Sequence, residues 1–207
     1  MSNGIDDLLA APLGLRERKK LKTRRAIRAA AFRLFTEQGY DATTVDQISA
    51  EADVSPSTFF RYFPTKEDLV ISDDYDPLME AALRDRPLDE PLLTAIRAAI
   101  LPALRMVMGS EHDDMLLRMR LLQDNPLVRA RNVAEQQRTK EMLLRILAER
   151  AERADRPLDE LRLRVQVAAV LAASTEAIEY WAKRGGQDNI AELVGQALDT
   201  LSTDAVG

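Results

Sequence analysis

The chain contains no cysteine and only one histidine, His112. A disulfide framework, a thiolate metal site, a cysteine nucleophile and a histidine cluster are all excluded, and most metalloenzyme chemistries go with them. No metal and no cofactor is therefore expected. Glycine (8) and proline (9) are sparse among 207 residues and fall mostly between segments whose apolar residues recur with helical period. An all-α protein is predicted. The stretch Met1–Leu15 carries Asp6 and Asp7 where a signal peptide would carry basic residues, and no apolar run approaches eighteen residues. A cytosolic protein with no membrane partner is expected. Aromatics are scarce too, and of the ten Phe, Tyr and Trp, seven lie between Phe32 and Phe63, leaving Tyr75, Tyr180 and Trp181. Two differently built regions are implied.

The charge is segregated in the same way. The total, 29 Lys and Arg against 34 Asp and Glu, is −5, which by itself counts against a nucleic-acid partner. Residues 1–70, however, sum to +1 and residues 71–207 to −6. From Arg16 to Arg28 there are eight basic side chains, Arg24 among them, against the single Glu17. A concentrated cation is thus joined to an acidic body.

The first helix is predicted over about Leu15 to Gln38, with Ile27, Ala31, Leu34 and Phe35 on one face and Gly39 as its left-handed stop. Thr44-Val45-Asp46-Gln47 forms a capping box that opens a short second helix to about Ala52. Ser55 caps a third, with Pro56 at its first position, ending near Phe63 because Pro64 disfavours helix before it. A fourth begins at Thr65-Lys66-Glu67-Asp68 and continues to about residue 85. Helices are then predicted over 92–108, kinked at Pro102, and over 114–124, 126–153, 158–184 and 189–201, about nine in all. Eight of the nine residues from Val165 to Ala173 are apolar, which marks a central helix. The expected organisation is a flexible tail over 1–14, a DNA-binding domain over 15–64 and a larger domain over 65–207.

Three short helices, the last two joined by a tight turn and preceded by a basic arm, make a helix-turn-helix arrangement. Ser55, Pro56, Ser57 and Thr58 keep the leading end of the third helix slim enough for a major groove. Val54, Phe59 and Phe63 can anchor its back to Phe32, Phe35 and Ile48. Arg61 can reach guanine edges or phosphate, while Tyr62 and Lys66 flank the groove. The helix starts at Thr44 and Thr65 offer amides to phosphates. The stretch Thr23–Val70, TRRAIRAAAFRLFTEQGYDATTVDQISAEADVSPSTFFRYFPTKEDLV, resembles the N-terminal domain of the TetR family of one-component transcriptional regulators. That resemblance implies that Pro56, Ser57, Thr58, Phe60, Arg61 and Tyr62 enter the major groove and that Lys66 and Thr44 lie at phosphates. Two positions depart from the family pattern. Phe60 stands where Tyr is common, so no hydroxyl is present there, and Asp53 stands where many members have Gly. Asp is among the few residues that enter the left-handed conformation readily.

The same resemblance implies a homodimer through the last two helices and a body that encloses an effector pocket. Ala168, Ala169, Ala172, Ala173 and Ser174 permit close helix approach, and Ile190, Leu193, Val194, Ala197, Leu198 and Leu201 form an apolar face. Candidate pocket-lining residues are Tyr75, Leu78, Met79, Ile100, Leu104, Met108, Met115, Met119, Met142, Ala173, Ala177, Tyr180 and Trp181. Five of the seven methionines are in this set, and flexible thioethers suit adaptable apolar sites, although they equally fill ordinary cores. The runs DDYDPLMEAAL and EAIEYWAKRGG look like those of TetR members that bind acyl-CoA-like ligands. An apolar chain with an anionic head is then the implied effector, with Arg118, Arg120, Arg138 or Lys140 as candidates to face the head. The expected function is a dimeric repressor released from a palindromic operator by that effector. The alternatives are a ligand-independent activator or architectural protein with the same head, and a small helical enzyme using Asp113 and Asp114 or Glu176 and Glu179, which have no nucleophile or metal partner nearby in sequence.

Overall fold

The computed structural model describes residues 15–71, 76–108 and 111–201. Among them are ten helical segments and no strand: α1 (Leu15–Gln38), α2 (Val45–Glu51), α3 (Pro56–Tyr62), α4 (Glu67–Ile71), α5 (Asp76–Arg84), α6 (Leu92–Met108), α7 (His112–Asp124), α8 (Pro126–Arg153), α9 (Glu160–Lys183) and α10 (Ile190–Asp199). The fourth predicted helix is seen as α4 and α5, and the four residues between them lie outside the described set. So do the tail 1–14 and Tyr75. Helix α6 contains Pro102 within its span.

The chain forms two compact units. The first comprises the described residues up to 71 together with 113–132, so the unit that holds the helix-turn-helix also takes in α4, most of α7 and the first seven residues of α8. Its core gathers Ile27, Ala31, Phe32 and Phe35 of α1, Ile48 of α2, Phe59 of α3, Phe63, and Leu69 and Val70 of α4, with Val128 closing it from α8. The aromatic segregation in the sequence is thus the core of one unit: Phe32 and Phe35 have ring centroids 5.8 Å apart, Phe35 and Tyr40 4.9 Å, Phe59 and Phe63 6.0 Å. Rings at such tilted separations add about 0.5–1.5 kcal/mol each beyond their buried area.

Local chemistry sets where these short helices begin and end. Gly39 closes α1 at φ +87°, with its amide bonded back to Phe35. Asp53, the departure from Gly, sits at φ +52°, and the left-handed turn between α2 and α3 is kept without glycine. The Thr44–Gln47 capping box is formed in full. Arg33 pairs with Glu51, tying α1 to α2.

The second unit comprises the described residues of 73–112 and 133–201. Helix α10 packs on both α9 and α6, and α5 packs on α6. Ile190, Val194 and Leu198, half of the apolar face read from the sequence on the last helix, are buried inside this unit, leaving Leu193, Ala197 and Leu201 more accessible. Gly195 is buried in α10, and an added Cβ there would meet Arg97 at 3.5 Å and Leu101 at 3.6 Å, so the close approach of α6 uses the missing side chain.

One buried cation organises the end of α5. Arg150 of α8 donates from Nη1 to the carbonyls of Leu83 (2.8 Å) and Arg86 (2.7 Å) and from Nη2 to that of Pro87 (2.7 Å). The Leu83 carbonyl belongs to the last turn of α5 and those of Arg86 and Pro87 follow it, the last also accepting from the Glu90 amide at 3.2 Å, and one guanidinium fork reaches all three. Burial lowers its pKa from the ordinary arginine value, opposed by the Glu90 charge. Replacing Arg150 by Met should therefore destabilise the protein by about 3 kcal/mol, since charged hydrogen bonds are lost and carbonyls are left buried. Urea denaturation followed by circular dichroism checks this, and a midpoint equal to wild type would contradict the assignment.

Candidate nucleic-acid interface

Helix α3 divides into two faces. Phe59 is fully buried, as is Phe63 just past its end, whereas Pro56, Ser57, Phe60 and Arg61 are exposed. With only seven residues and no long stripe to bury, α3 is held by these two aromatic rings and by its ends.

The leading end is fixed by a chain of hydroxyls. The Ser55 Oγ accepts from the Thr58 amide at 3.1 Å and donates to the Thr58 hydroxyl at 2.9 Å. Its one proton is then used, so in the 2.9 Å contact with Ser57 it is the Ser57 hydroxyl that donates. The trailing end is fixed by Arg24, whose Nη1 donates to the Tyr62 carbonyl at 2.9 Å while its guanidinium lies 4.4 Å from the Phe63 ring centroid. A cation at the last carbonyls of a helix is favourable both as a cap and against the helix dipole. Arg28, also in the basic run, is buried and lies 5.7 Å from the same ring. Part of the cationic run is therefore built into the unit, while Arg16, Arg18, Lys19, Lys20 and Lys22 on the first turns of α1 stand exposed. Arg61 projects from the open face with its guanidinium 5.4 Å from the Tyr62 ring.

The start of α4 is a second fixed point. Lys66 Nζ donates to the carbonyls of Tyr40 (2.9 Å) and Thr43 (3.1 Å) and sits 4.1 Å from the Tyr40 ring centroid. Of its three protons, two are thus given to the link between α1 and α2. Thr44 spends its side chain on the cap of α2. The Tyr40 hydroxyl donates to Glu67 at 3.1 Å; burial and the neighbouring Glu67 carboxylate raise its pKa well above the ordinary tyrosine value.

The Thr65 amide, which the sequence offered to phosphate, is instead given to a carboxylate within the chain, and Arg131, which the sequence did not single out, completes this network. The carboxylate of Asp68 accepts from the Thr65 amide (2.9 Å) and hydroxyl (3.0 Å), and Asp68 in turn donates its amide to Thr65, a reciprocal box at the start of α4. Its Oδ1 also accepts from Arg131 Nε of α8 at 2.9 Å. The Thr-x-x-Asp spacing carries a local signal for the box; Arg131, 63 residues on, carries none. Burial acts to raise the Asp68 pKa, but the hydrogen bonds from Arg131 and Thr65 and the Arg131 charge outweigh it, so the carboxyl titrates below the ordinary value.

The candidate effector residues are divided between the two units. Met115 and Met119 lie on α7 in the first; Met79, Ile100, Leu104, Met108, Met142, Ala173, Ala177, Tyr180 and Trp181 lie in the second, as does Leu78. Met79, Ile100, Leu104, Met142 and Ala173 are half-buried, Ala177 is buried and Tyr180 is exposed. Trp181 is fully buried, its Nε1 donating to the Asp188 carbonyl at 2.9 Å and His112 standing edge-on to its ring at 5.4 Å. Met108 and Trp181 meet at a recess of about 340 Å³ that also includes Arg105, His112 and Ile190. Arg118 is buried on α7 in the first unit, and Arg138 is exposed and paired with Glu135.

A short helix held by its back, capped at both ends and open on its front, preceded by an exposed cationic helix end, defines a helix-turn-helix DNA-binding protein. Residues 27–72 match the family model of bacterial regulatory proteins of the tetR family, and residues 90–205 match that of the MftR C-terminal domain. The chain is 34% identical over 197 residues to the HTH-type transcriptional regulator TcmR of Streptomyces glaucescens, covering 91% of this chain and 86% of that one. Among solved structures it is similar to Thermus thermophilus FadR, a TetR-family repressor in complex with lauroyl-CoA, with 26% identity, a TM-score of 0.55, and coverage of 86% of this chain and 92% of that one. The fold is also that of Bacillus subtilis FadR in complex with stearoyl-CoA, at 21% identity and a TM-score of 0.56 over 86% and 97% of the two chains. The chain belongs to the TetR family of transcriptional regulators.

Because the Asp68 pKa is depressed on folding, the pair contributes stability that is present above about pH 4 and is lost as pH falls through the folded value. Asp68→Asn should lower stability at pH 7 by about 2 kcal/mol and flatten the acid limb of stability against pH. Thermal unfolding from pH 7 to pH 3 reads both effects, and an acid limb unchanged in the variant would remove Asp68 from this role.

Proposed function

We propose that this regulator is a dimeric repressor that holds a palindromic operator through two copies of α3 and releases it when an apolar, acyl-CoA-like effector occupies the second unit. The observation that carries the reading is the open face of α3. Pro56, Ser57, Phe60 and Arg61 are left outside the core by a helix whose back and both ends are fixed, as a rigid reading element requires. The exposed basic residues at the start of α1 supply phosphate contacts, with the last proton of Lys66 as another. Such contacts position the protein, and the α3 side chains select the sequence. A DNA-binding regulator works in the cytoplasm, and no described helix is long and apolar enough to cross a membrane.

Dimerisation is supported by α9. Leu161 (73% exposed), Val165 (58% exposed), Ala168 and Ala172 recur at i, i+4, i+7 and i+11 and so line one accessible apolar face with small residues in its C-terminal half. Two reading helices on a two-fold axis then meet successive major grooves. The effector class is supported by the FadR structures with lauroyl-CoA and stearoyl-CoA and by the half-buried methionines of the second unit. To release DNA the effector needs to favour the non-matching arrangement by only a few kcal/mol, about the scale of a hundredfold change in affinity. Helix α4, pinned by Lys66 and Asp68, is the element whose displacement would change the separation of the two reading helices. The relatives are transcriptional regulators, and no catalytic role is proposed.

Four outcomes are expected with a duplex selected from a random pool by the full-length protein. Arg61→Ala should weaken binding at fixed salt by about 1–3 kcal/mol. A double change, Lys19→Ala with Lys20→Ala, should weaken binding to all sequences and flatten the salt dependence. Leu161→Glu with Val165→Glu should yield monomers in sedimentation and abolish operator binding. Addition of a long-chain acyl-CoA should release the duplex, followed by fluorescence anisotropy; retention of DNA at saturating acyl-CoA would reject that effector class.

A further inference from the structure

Phe60 has no role in the fold that explains its position. Its ring is 51% exposed, whereas the preceding Phe59 and the later Phe63 are fully buried. Between residues 16 and 71 it is the one large apolar side chain that stands exposed. An isolated apolar group is too small for a protein-docking patch, which would need contiguous apolar surface.

Its surroundings make it a directed group. The Phe60 ring lies at 86° to the Phe59 ring with centroids 5.4 Å apart, and Phe59 is itself locked against Phe63 in the core. The outward part of the Phe60 ring is therefore backed by a fixed wall. On the helix it stands one turn after Pro56 and Ser57, and beside Arg61, within the open face. A phenyl ring has no proton to give a phosphate or a base edge. What it can recognise in a major groove is the one apolar group displayed there, the 5-methyl of thymine.

We propose that Phe60 is a specificity-determining residue that reads a thymine methyl once in each operator half-site. The inference rests on the reading that α3 enters the major groove. It adds a base assignment to a helix whose other exposed side chains are polar or small. Burying one methyl against the ring gives an affinity gain of about fourfold per half-site, hence on the order of fifteenfold for a symmetric operator.

The test uses the full-length protein and a duplex that it selects from a random pool. Each thymine is replaced in turn by deoxyuridine, which removes the methyl and leaves every hydrogen-bonding group in place, and affinity is measured by anisotropy at constant salt. The expected result is a single symmetric thymine position whose replacement weakens wild-type binding about fourfold in one half-site and about fifteenfold in both. Phe60→Ala should bind the methyl and methyl-free duplexes equally, while Phe60→Tyr, which keeps the ring, should retain the preference. Wild-type affinity indifferent to every deoxyuridine replacement would overturn the assignment and leave the ring against a sugar. A sensitive thymine that stays equally sensitive in Phe60→Ala would overturn it too, assigning the methyl to another side chain. Failure to select any duplex would instead remove the DNA-reading function itself, and Phe60 with it.

Discussion

A seven-residue helix cannot bury enough surface to hold itself in place, and the anchoring of α3 by Phe59 and Phe63 is the constraint on which the first unit depends. The two rings lie four residues apart, on one face, and they dock on Phe32 and Phe35 of α1 and on Ile48 of α2. Once that face is committed, helical geometry leaves positions 56, 57, 60 and 61 outside. The exposed face of α3 is thus the complement of the core. Its composition is free of packing demands, which is why small, cationic and exposed aromatic side chains coexist there.

Around this anchor the unit spends charged groups as fasteners. Arg24 closes the last turn of α3, Lys66 holds the link between α1 and α2, and Arg131 holds Asp68 at the start of α4. Each joins a cationic side chain to a carbonyl or carboxylate, and each fixes a helix end or the link beside it rather than a helix middle. The positive charge counted along α1 therefore has two uses. Its first turns are exposed, while Arg24 caps the end of α3 and Arg28 lies buried beside the Phe63 ring. The remainder of the chain, residues 71–207, carries a net charge of −6.

Much of the first unit was legible in the sequence because its signals are local. Gly39, the Thr44–Gln47 box, the Ser55 cap with Pro56, and Asp53 in a left-handed turn all act within four or five residues, and all adopt the geometry that their types favour. The aromatic cluster was legible for a related reason: of the seven aromatics in one short stretch, Phe32, Phe35, Tyr40, Phe59 and Phe63 are buried together. The Asp68–Arg131 pair was not, because its partners are 63 residues apart and either charge reads equally well as solvated surface. The same holds for Arg150, which three carbonyls bury and which looks like any arginine of an exposed helix end. On the last helix, an apolar face could have served the core or a partner, and packing on α6 and α9 assigned Ile190, Val194 and Leu198 to the core.

The chain's own residue order thus determined the helical class, the places where the short helices start and stop, and the segregation of a cationic, aromatic end from an acidic body, since each follows from composition or from contacts a turn or two long. Tertiary structure alone decided that residues 113–132 fold with the helix-turn-helix, that the candidate effector methionines are shared between two units, and which arginines are structural and which face outward. The physical reason is that burial is a property of neighbours in space. A charged or apolar side chain carries the same local signal whether it meets water, a core or a carbonyl supplied from sixty residues away.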